Sequence, residues 1–280
     1  MVGSYVRRTF VDYDLVLTDV TEGSTLLDVR DPAAVRAAIG DVRPDAVLHL
    51  AAATDVDRCE QEPNWAYDAN AHGTRNVALA CQAPAIPLVY VSTGAVFPGE
   101  RAEPYTEFDT PVPANVYAGS KRAGEQFVGS LLERHYIVRA GWMFGGVGRD
   151  VKFVGKITRL IQSGRTRLEI VDDLIGSPTY ASDLLEGLRR LMETDAYGIY
   201  HMANAGRCTR YESALAIREA LNRSDVEIIP VLSDRFPLPA PRRSEALRSV
   251  KLERLGLGMR PWQEALREYV LTELAAPECA

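Results

Sequence analysis

The sequence predicts an α/β protein built as a doubly wound parallel sheet with a smaller C-terminal α/β domain. Three observations carry this. Short apolar runs rich in β-branched residues alternate with segments of helical period. The runs are almost continuously apolar, as strands covered on both faces are. After about residue 206 the alternation loosens. A chain of 280 residues suffices for one large domain or for a sheet domain with a partner, and the change in texture favours the second.

In order, Asp14-Leu-Val-Leu-Thr-Asp19 and Asp45-Ala-Val-Leu-His-Leu50 read as strands, with a helix over 32–40 between them. A helix over 66–82, a strand at Pro87-Leu-Val-Tyr-Val-Ser-Thr93, a helix over 115–134, a strand at Tyr136-Ile-Val-Arg-Ala140 and a helix over 151–163 follow. Such alternation gives a parallel sheet with right-handed crossovers. The later part holds a helix at 211–222, a strand at 226–230, the connection Phe236-Pro-Leu-Pro-Ala-Pro241 and a helix near 262–274. Residues 1–146 with 168–205 are expected to form the sheet domain. Residues 147–167 with 206–280 form a second domain closing over the carboxyl ends of the strands, where open α/β sheets bind ligands.

Hydrophobic residues are 46% and charged residues 25%, ordinary values for a globular protein. A net charge of −6 argues against non-specific binding of nucleic acid. Arg242-Arg243, with Arg248 and Lys251 nearby, is a local basic spot that suits either a solvated face or a nucleotide diphosphate. Cys59, Cys81, Cys208 and Cys279 lack metal or disulfide spacing and read as reduced thiols; His49, His72, His135 and His201 lack ligand spacing too, so no metal is expected. No stretch of about eighteen apolar residues occurs, and Arg7, Arg8, Asp12 and Asp14 break the N-terminus. A cytoplasmic protein with no membrane partner is expected.

The sharpest motif is Tyr117-Ala-Gly-Ser-Lys121, a phenol and an ammonium four residues apart on one helix face. A positive charge beside a phenol favours the phenolate and draws its pKa towards neutrality. Twenty-four residues before Tyr117, a buried strand ends in Val91-Ser-Thr93, which places a hydroxyl at the sheet edge able to donate to a carbonyl oxygen. Strand-end hydroxyl, Tyr and Lys together resemble the short-chain dehydrogenase/reductases, and Ser92-Thr-Gly-Ala-Val-Phe97 resembles the extended members.

The likeness then runs along nearly the whole chain. Leu50-Ala-Ala-Ala-Thr-Asp-Val-Asp57 with Glu60 and Pro63, Asn70 in Asp68-Ala-Asn-Ala-His-Gly73, Arg139-Ala-Gly-Trp-Met-Phe-Gly145 and Asp172-Asp-Leu-Ile-Gly-Ser-Pro-Thr179 resemble the dTDP-4-dehydrorhamnose reductases. The tail from Arg242-Arg-Ser244 through Leu247, Lys251-Leu252, Trp262 and Ala265-Leu266 does too. The resemblance implies a Rossmann-like domain and NAD(P)H-dependent reduction of the C4 ketone of a nucleotide-activated 4-keto-6-deoxy sugar. It makes Thr93, Tyr117 and Lys121 catalytic, and gives Gly3, Asp19, Asp28, Val29, Ala51, Ala52, Ala53 and Asn70, with Tyr117 and Lys121, to the cofactor. Thr93, Trp142, Ser177 and Arg242 go to the substrate. Trp142 reads equally as a core aromatic, Asn70 as a packing amide, and Gly176-Ser-Pro178 as an ordinary turn.

Two departures stand out. Met1-Val-Gly3-Ser-Tyr-Val6 resembles the end of a GxxGxxG turn, and Asp19 follows Gly3 by sixteen residues, so the first strand and two glycines are expected to be missing and dinucleotide binding to suffer. Residues 14–19 and 45–50 would then flank an unfilled slot. Gly94-Ala95 stands where rhamnose-type reductases usually carry Asp-Tyr, which leaves the particular sugar open and brings in the alternative of a nucleotide-sugar epimerase. A further alternative is a non-catalytic regulatory subunit related to the methionine adenosyltransferase beta subunit. Asp19 favours NADH over NADPH, because a carboxylate accepts from the ribose 2′-hydroxyl and repels a 2′-phosphate. The partner is a nucleotide sugar, and a homodimer is left open.

Overall fold

A computed structural model of the chain describes residues 1–21, 24–148 and 150–274, so Cys279 lies outside the described residues. The chain opens on a 3-10 turn (Val2–Tyr5) and α1 (Val6–Thr9), followed by β1 (Thr18–Asp19) and β2 (Thr25–Leu26). Next come α2 (Pro32–Val42), β3 (Val47–His49), α3 (Val56–Gln61), α4 (Pro63–Tyr67), a π-turn (Asp68–Gly73), α5 (Thr74–Gln82) and β4 (Leu88–Thr93). Then α6 (Val116–Leu131), β5 (His135–Ala140), β6 (Trp142–Phe144), α7 (Phe153–Gln162), β7 (Arg167–Val171), β8 (Ile175–Gly176), β9 (Pro178–Tyr180) and α8 (Ala181–Met192) lead to β10 (Gly198–His201). The last elements are β11 (Cys208–Thr209), α9 (Arg210–Ala220), β12 (Glu227–Val231), α10 (Val250–Arg254) and α11 (Trp262–Tyr269).

The main sheet is parallel throughout, in the order β10-β5-β4-β3. Successive strand side chains point to opposite faces, and the buried residues sort accordingly. Leu88, Tyr90 and Ile137 pack with Val77, Ala78 and Cys81 of α5 and Val128 of α6. Val89, Tyr136 and Val138 pack with Ile157 and Ile161 of α7 and Leu184, Leu185 and Leu188 of α8. Each such aliphatic side chain contributes about 1.5–3 kcal/mol by leaving water, and only a sheet covered on both faces has such a use for unbroken apolar strands.

The expected strand over 14–19 shortens to Thr18–Asp19, which pairs with β2 alone, while β3 is the last strand of the main sheet. Both residues of β1 are exposed, so they lack the two-sided burial that would extend the strand. A second difference concerns β7, which pairs along its length with β12. That ladder sets Arg167–Val171 among the C-terminal elements, whereas the sequence reading placed 168–205 with the main sheet.

The Pro-rich connection is pinned at the carboxyl edge of the sheet. Asp57 accepts from the Ala240 amide at 3.2 Å and pairs with Arg242 at 2.9 Å, and Asn115 donates to the Pro241 carbonyl at 3.1 Å. Among the described residues no helix is long and apolar enough to cross a membrane.

Candidate active site

Two element ends meet here. β4 terminates on Thr93, and α6 starts after Asn115, whose side chain accepts from the Ala118 amide at 2.9 Å as an N-cap does. The free amide of Val116 donates to Glu60 at 3.0 Å. Tyr117 therefore stands in the first turn of α6, with Lys121 one turn on along the same face.

Thr93 is 7% exposed; its hydroxyl accepts from the Ala95 amide at 3.1 Å and lies beside the Tyr117 phenol. Burial pushes the Tyr117 pKa well above its ordinary value, and Thr93 draws it part of the way back. Lys121 is 2% exposed, 4.1 Å from the centroid of the Tyr90 ring, and its ammonium makes no hydrogen bond among the described residues. Burial pushes its pKa down to about 7, with Glu125 pulling the other way. Burial of the phenol is the largest influence on Tyr117, and burial likewise opposes the charge on Lys121. At neutral pH Tyr117 is held protonated, the form that a proton donor requires.

A deeper ion pair fixes α6 on the sheet. Arg139 of β5 donates twice to Glu125, at 2.9 and 2.8 Å, and Ser92 donates to the same carboxylate at 2.6 Å. Burial raises the Glu125 pKa, but the Arg139 guanidinium outweighs it and holds the carboxyl below its usual range.

The cofactor positions have mixed fates. Ala51 and Ala52 leave an open floor without side chains beyond Cβ, while Ala53 is buried. Asn70 is a brace rather than a contact: its amide accepts from the Ala53 N–H at 2.8 Å and donates to the Ala53 carbonyl at 3.0 Å and to Ser120 at 2.9 Å. Asp19 is exposed and turned onto its own loop, accepting from the amides of Val20 at 2.7 Å and Thr21 at 3.2 Å. Asp28 is paired with Arg30 at 2.6 Å and stands, with Arg30, Asp31, Asp68 and His72, around a cavity of about 500 Å³. Val29 is a wedge against Gly73, where a Cβ would come within 2.7 Å of its Cγ2. Gly3 is exposed in the opening turn, and a Cβ there would meet nothing within 4 Å.

On the substrate side, Trp142 lies flat against Gly176, where a Cβ would fall 2.2 Å from its ring, and the Arg210 guanidinium stacks 3.6 Å from the ring centroid. Ser177 is fully buried, and its hydroxyl accepts from the Leu247 amide at 2.9 Å, which ties the C-terminal loop to the segment before β9. Arg242 borders the cleft with its charge already met by Asp57.

Three residues escaped the sequence reading: Lys152, Arg210 and Glu245. Lys152 caps α7 and Arg210 opens α9, so two cations sit at the positive ends of helix dipoles, an unfavourable placement. That misplacement was the available signal. Glu245 is half-buried, and burial pushes its pKa up to about 7 against the pull of Arg210, the Trp142 indole, Arg242 and Lys152.

The family whose profile matches residues 1–275 is described as RmlD substrate binding domain. The dTDP-4-dehydrorhamnose reductase of Mycobacterium tuberculosis (strain CDC 1551 / Oshkosh) is 40% identical over 262 residues, covering 91% of this chain and 83% of that protein. The dTDP-4-keto-6-deoxy-D-glucose reductase of Streptomyces niveus is 36% identical over 211 residues, covering 75% and 72%. The crystal structure of dTDP-4-dehydrorhamnose reductase from Bacillus anthracis str. Ames in complex with NADP superposes with a TM-score of 0.90 at 37% identity, covering 96% of this chain and 95% of that one.

Proposed function

The chain belongs to the RmlD substrate binding domain family, and from that membership we propose that it reduces the C4 ketone of a dTDP-linked 4-keto-6-deoxy sugar with a nicotinamide cofactor. The observation that carries the reading is the meeting of the Thr93 hydroxyl with the Tyr117 phenol at the carboxyl edge of the sheet, with Lys121 one turn behind. The fit to a dinucleotide rests on Lys121, a buried ammonium without a hydrogen-bond partner, which ribose hydroxyls would satisfy. The alanine floor after β3 leaves room for the flat ring.

When bound, the reduced nicotinamide supplies a hydride to the carbonyl carbon. Tyr117 gives its phenolic proton to the carbonyl oxygen, so the ketone becomes a secondary alcohol. The Thr93 hydroxyl donates to the same oxygen and polarises the bond beforehand. Lys121 would hold the ribose and, when charged, offset the phenolate left on Tyr117, which water then reprotonates. Asn70 acts at one remove by fixing the Ala53 backbone.

NADH is the favoured donor in this reading: Asp19 stands exposed at the end of β1, and the Arg30 charge that would attract a 2′-phosphate is taken up by Asp28. We place the dinucleotide in a unit of 1–146 with 168–205, less β7, and the sugar against 147–167 with 206–280. The test is direct: incubate the chain with reduced dinucleotide and the dTDP-4-keto-6-deoxy sugar, and follow loss of the nicotinamide absorbance. Sugar-dependent oxidation by wild type but not by Tyr117→Phe is expected. Absence of oxidation with both dinucleotides overturns the proposal.

A further inference from the structure

Glu245 occupies a place that no element of the fold requires to be charged. Its backbone is fixed at both sides: its amide donates to the Ile175 carbonyl at 2.8 Å, the Ser244 hydroxyl accepts from the Ile175 amide at 3.1 Å, and Leu247 is tied to Ser177 at 2.9 Å. The loop so held drops onto Gly94, the residue after Thr93. A Cβ on Gly94 would stand 3.1 Å from the Glu245 carbonyl oxygen and 3.1 Å from Leu247 Cδ1. The sequence departure at Gly94 thus leaves room for the Glu245 loop to pack closely beside Thr93.

Among the described residues its carboxyl has the Trp142 indole as a partner but no ion pair. Among the described residues neither Glu245 nor Arg210 forms an ion pair within 4 Å, and the only hydrogen bond of the Lys152 ammonium is a long one, 3.5 Å, to the Thr54 carbonyl. Glu245 and Arg210 are half-buried, and half-buried charges without an ion-pair partner mark places where a ligand completes the set. Glu245 thus belongs to the loop packed on Gly94, beside the end of β4 that carries Thr93, and Lys152, Arg210 and Arg242 are the cations whose charge acts on its carboxyl. A ligand with neutral hydroxyl donors at the reacting carbon and an anion beyond them would complete this set of one acid and three cations.

We propose that Glu245 is the specificity-determining residue of the sugar site, its carboxylate accepting hydrogen bonds from ring hydroxyls of the hexose held against Tyr117, with Lys152 and Arg210 facing the diphosphate beyond. This rests on the reductase reading and adds the residue that distinguishes sugar from nucleotide. Charge-assisted hydrogen bonds of this kind contribute about ten-fold or more in affinity.

The experiment compares two probes by calorimetry, dTDP and dTDP-rhamnose, on wild type, Glu245→Gln and Glu245→Ala, with thermal melts to show that each is folded. Wild type should bind dTDP-rhamnose about ten-fold more tightly than dTDP. Glu245→Ala should lose most of that difference while its affinity for dTDP stays within about two-fold, and the isosteric Glu245→Gln should keep part of it. In turnover, KM for the keto sugar should rise far more than kcat falls. An unchanged ratio of the two affinities in both variants overturns the proposal, as does an equal loss of both ligands, which would mark Glu245 as structural. Failure of wild type to bind dTDP would instead overturn the nucleotide-sugar reading beneath it.

Discussion

The Lys121 ammonium rests 4.1 Å from the centre of the Tyr90 ring in a pocket where only 2% of the residue is exposed. The ring face attracts the cation, yet burial dominates and brings the lysine pKa down to about 7. A lysine titrating lower in the folded than in the unfolded chain, where its value is about 10.4, binds fewer protons when folded. Stability then rises with pH between about 7 and 10, and the penalty is fully present below about 7. Lys121→Met should be more stable than wild type near pH 6.5 and lose that advantage as pH rises, with a ceiling of about 5 kcal/mol at about 1.4 kcal/mol per pKa unit. Denaturation of both proteins across this range checks it, and a gap that does not change with pH would refute it.

Tyr117→Phe removes the proton donor and leaves the α6 cap at Asn115 and the buried pair behind it untouched. A fall in kcat of about 100-fold or more is expected for a lost general acid, with dTDP affinity and melting temperature near wild type. Steady-state kinetics alongside calorimetry separates the two. Activity within about three-fold of wild type would remove Tyr117 from the mechanism.

What could be read in advance follows from how far apart the contributing residues lie. The strand ending in Thr93 and the helix carrying Tyr117 and Lys121 each announce themselves through local period and spacing, and the structure keeps both. The cluster of Lys152, Arg210 and Glu245 comes from three segments that meet only once α7, α9 and the loop after the Pro-rich connection are packed, so no window of sequence contains it. The Ser177 contact is illegible in the sequence for a related reason: its buried partner, Leu247, lies seventy residues on. β1 was overestimated because Asp14–Asp19 has strand composition but, in the structure, only β2 as a neighbour.

Glu125→Ala should cost about 3–5 kcal/mol, since it leaves the Arg139 guanidinium buried at 2% exposure without its carboxylate. The loss should be read in urea or guanidinium unfolding at neutral pH. Glu125→Gln keeps the shape and one acceptor and should cost less. A change under about 1 kcal/mol for the alanine variant would show that Arg139 finds another partner.

The proposed preference for NADH can be tested at Arg30. Its side chain is bound to Asp28 through Nε and Nη2, at 3.0 and 2.6 Å, which leaves little charge for a 2′-phosphate. NADH should therefore bind more tightly than NADPH in calorimetry at one salt concentration. Asp28→Asn should release Arg30 and shift the ratio towards NADPH by about ten-fold, the scale of one charge-assisted contact. A lower Kd for NADPH in wild type would show that Asp19 does not govern the choice.

Gly94→Ala tests how closely the C-terminal loop is fitted to the end of β4. The glycine does not use a left-handed backbone, so alanine is allowed locally, and the cost arises from what its methyl meets. Two of the three nearest atoms belong to the Leu247 side chain, which can turn, but the third is the Glu245 carbonyl oxygen at 3.1 Å, part of a backbone anchored through Ile175 and Ser177. The loop must therefore shift by a few tenths of an ångström, at about 1–3 kcal/mol for overpacking. The shift moves Glu245 relative to Tyr117, and small displacements at a reacting site are amplified in rate. The expected result is a kcat/KM for the keto sugar lowered about ten-fold, with NADH affinity unchanged because the cofactor floor after β3 lies on another loop. Gly40→Ala is the control: its Cβ would meet nothing within 4 Å in the interior of α2, and it should raise stability slightly without touching kcat/KM. Equal kinetics for Gly94→Ala and wild type would mean that the loop yields freely and that the Gly94 contact does not position Glu245.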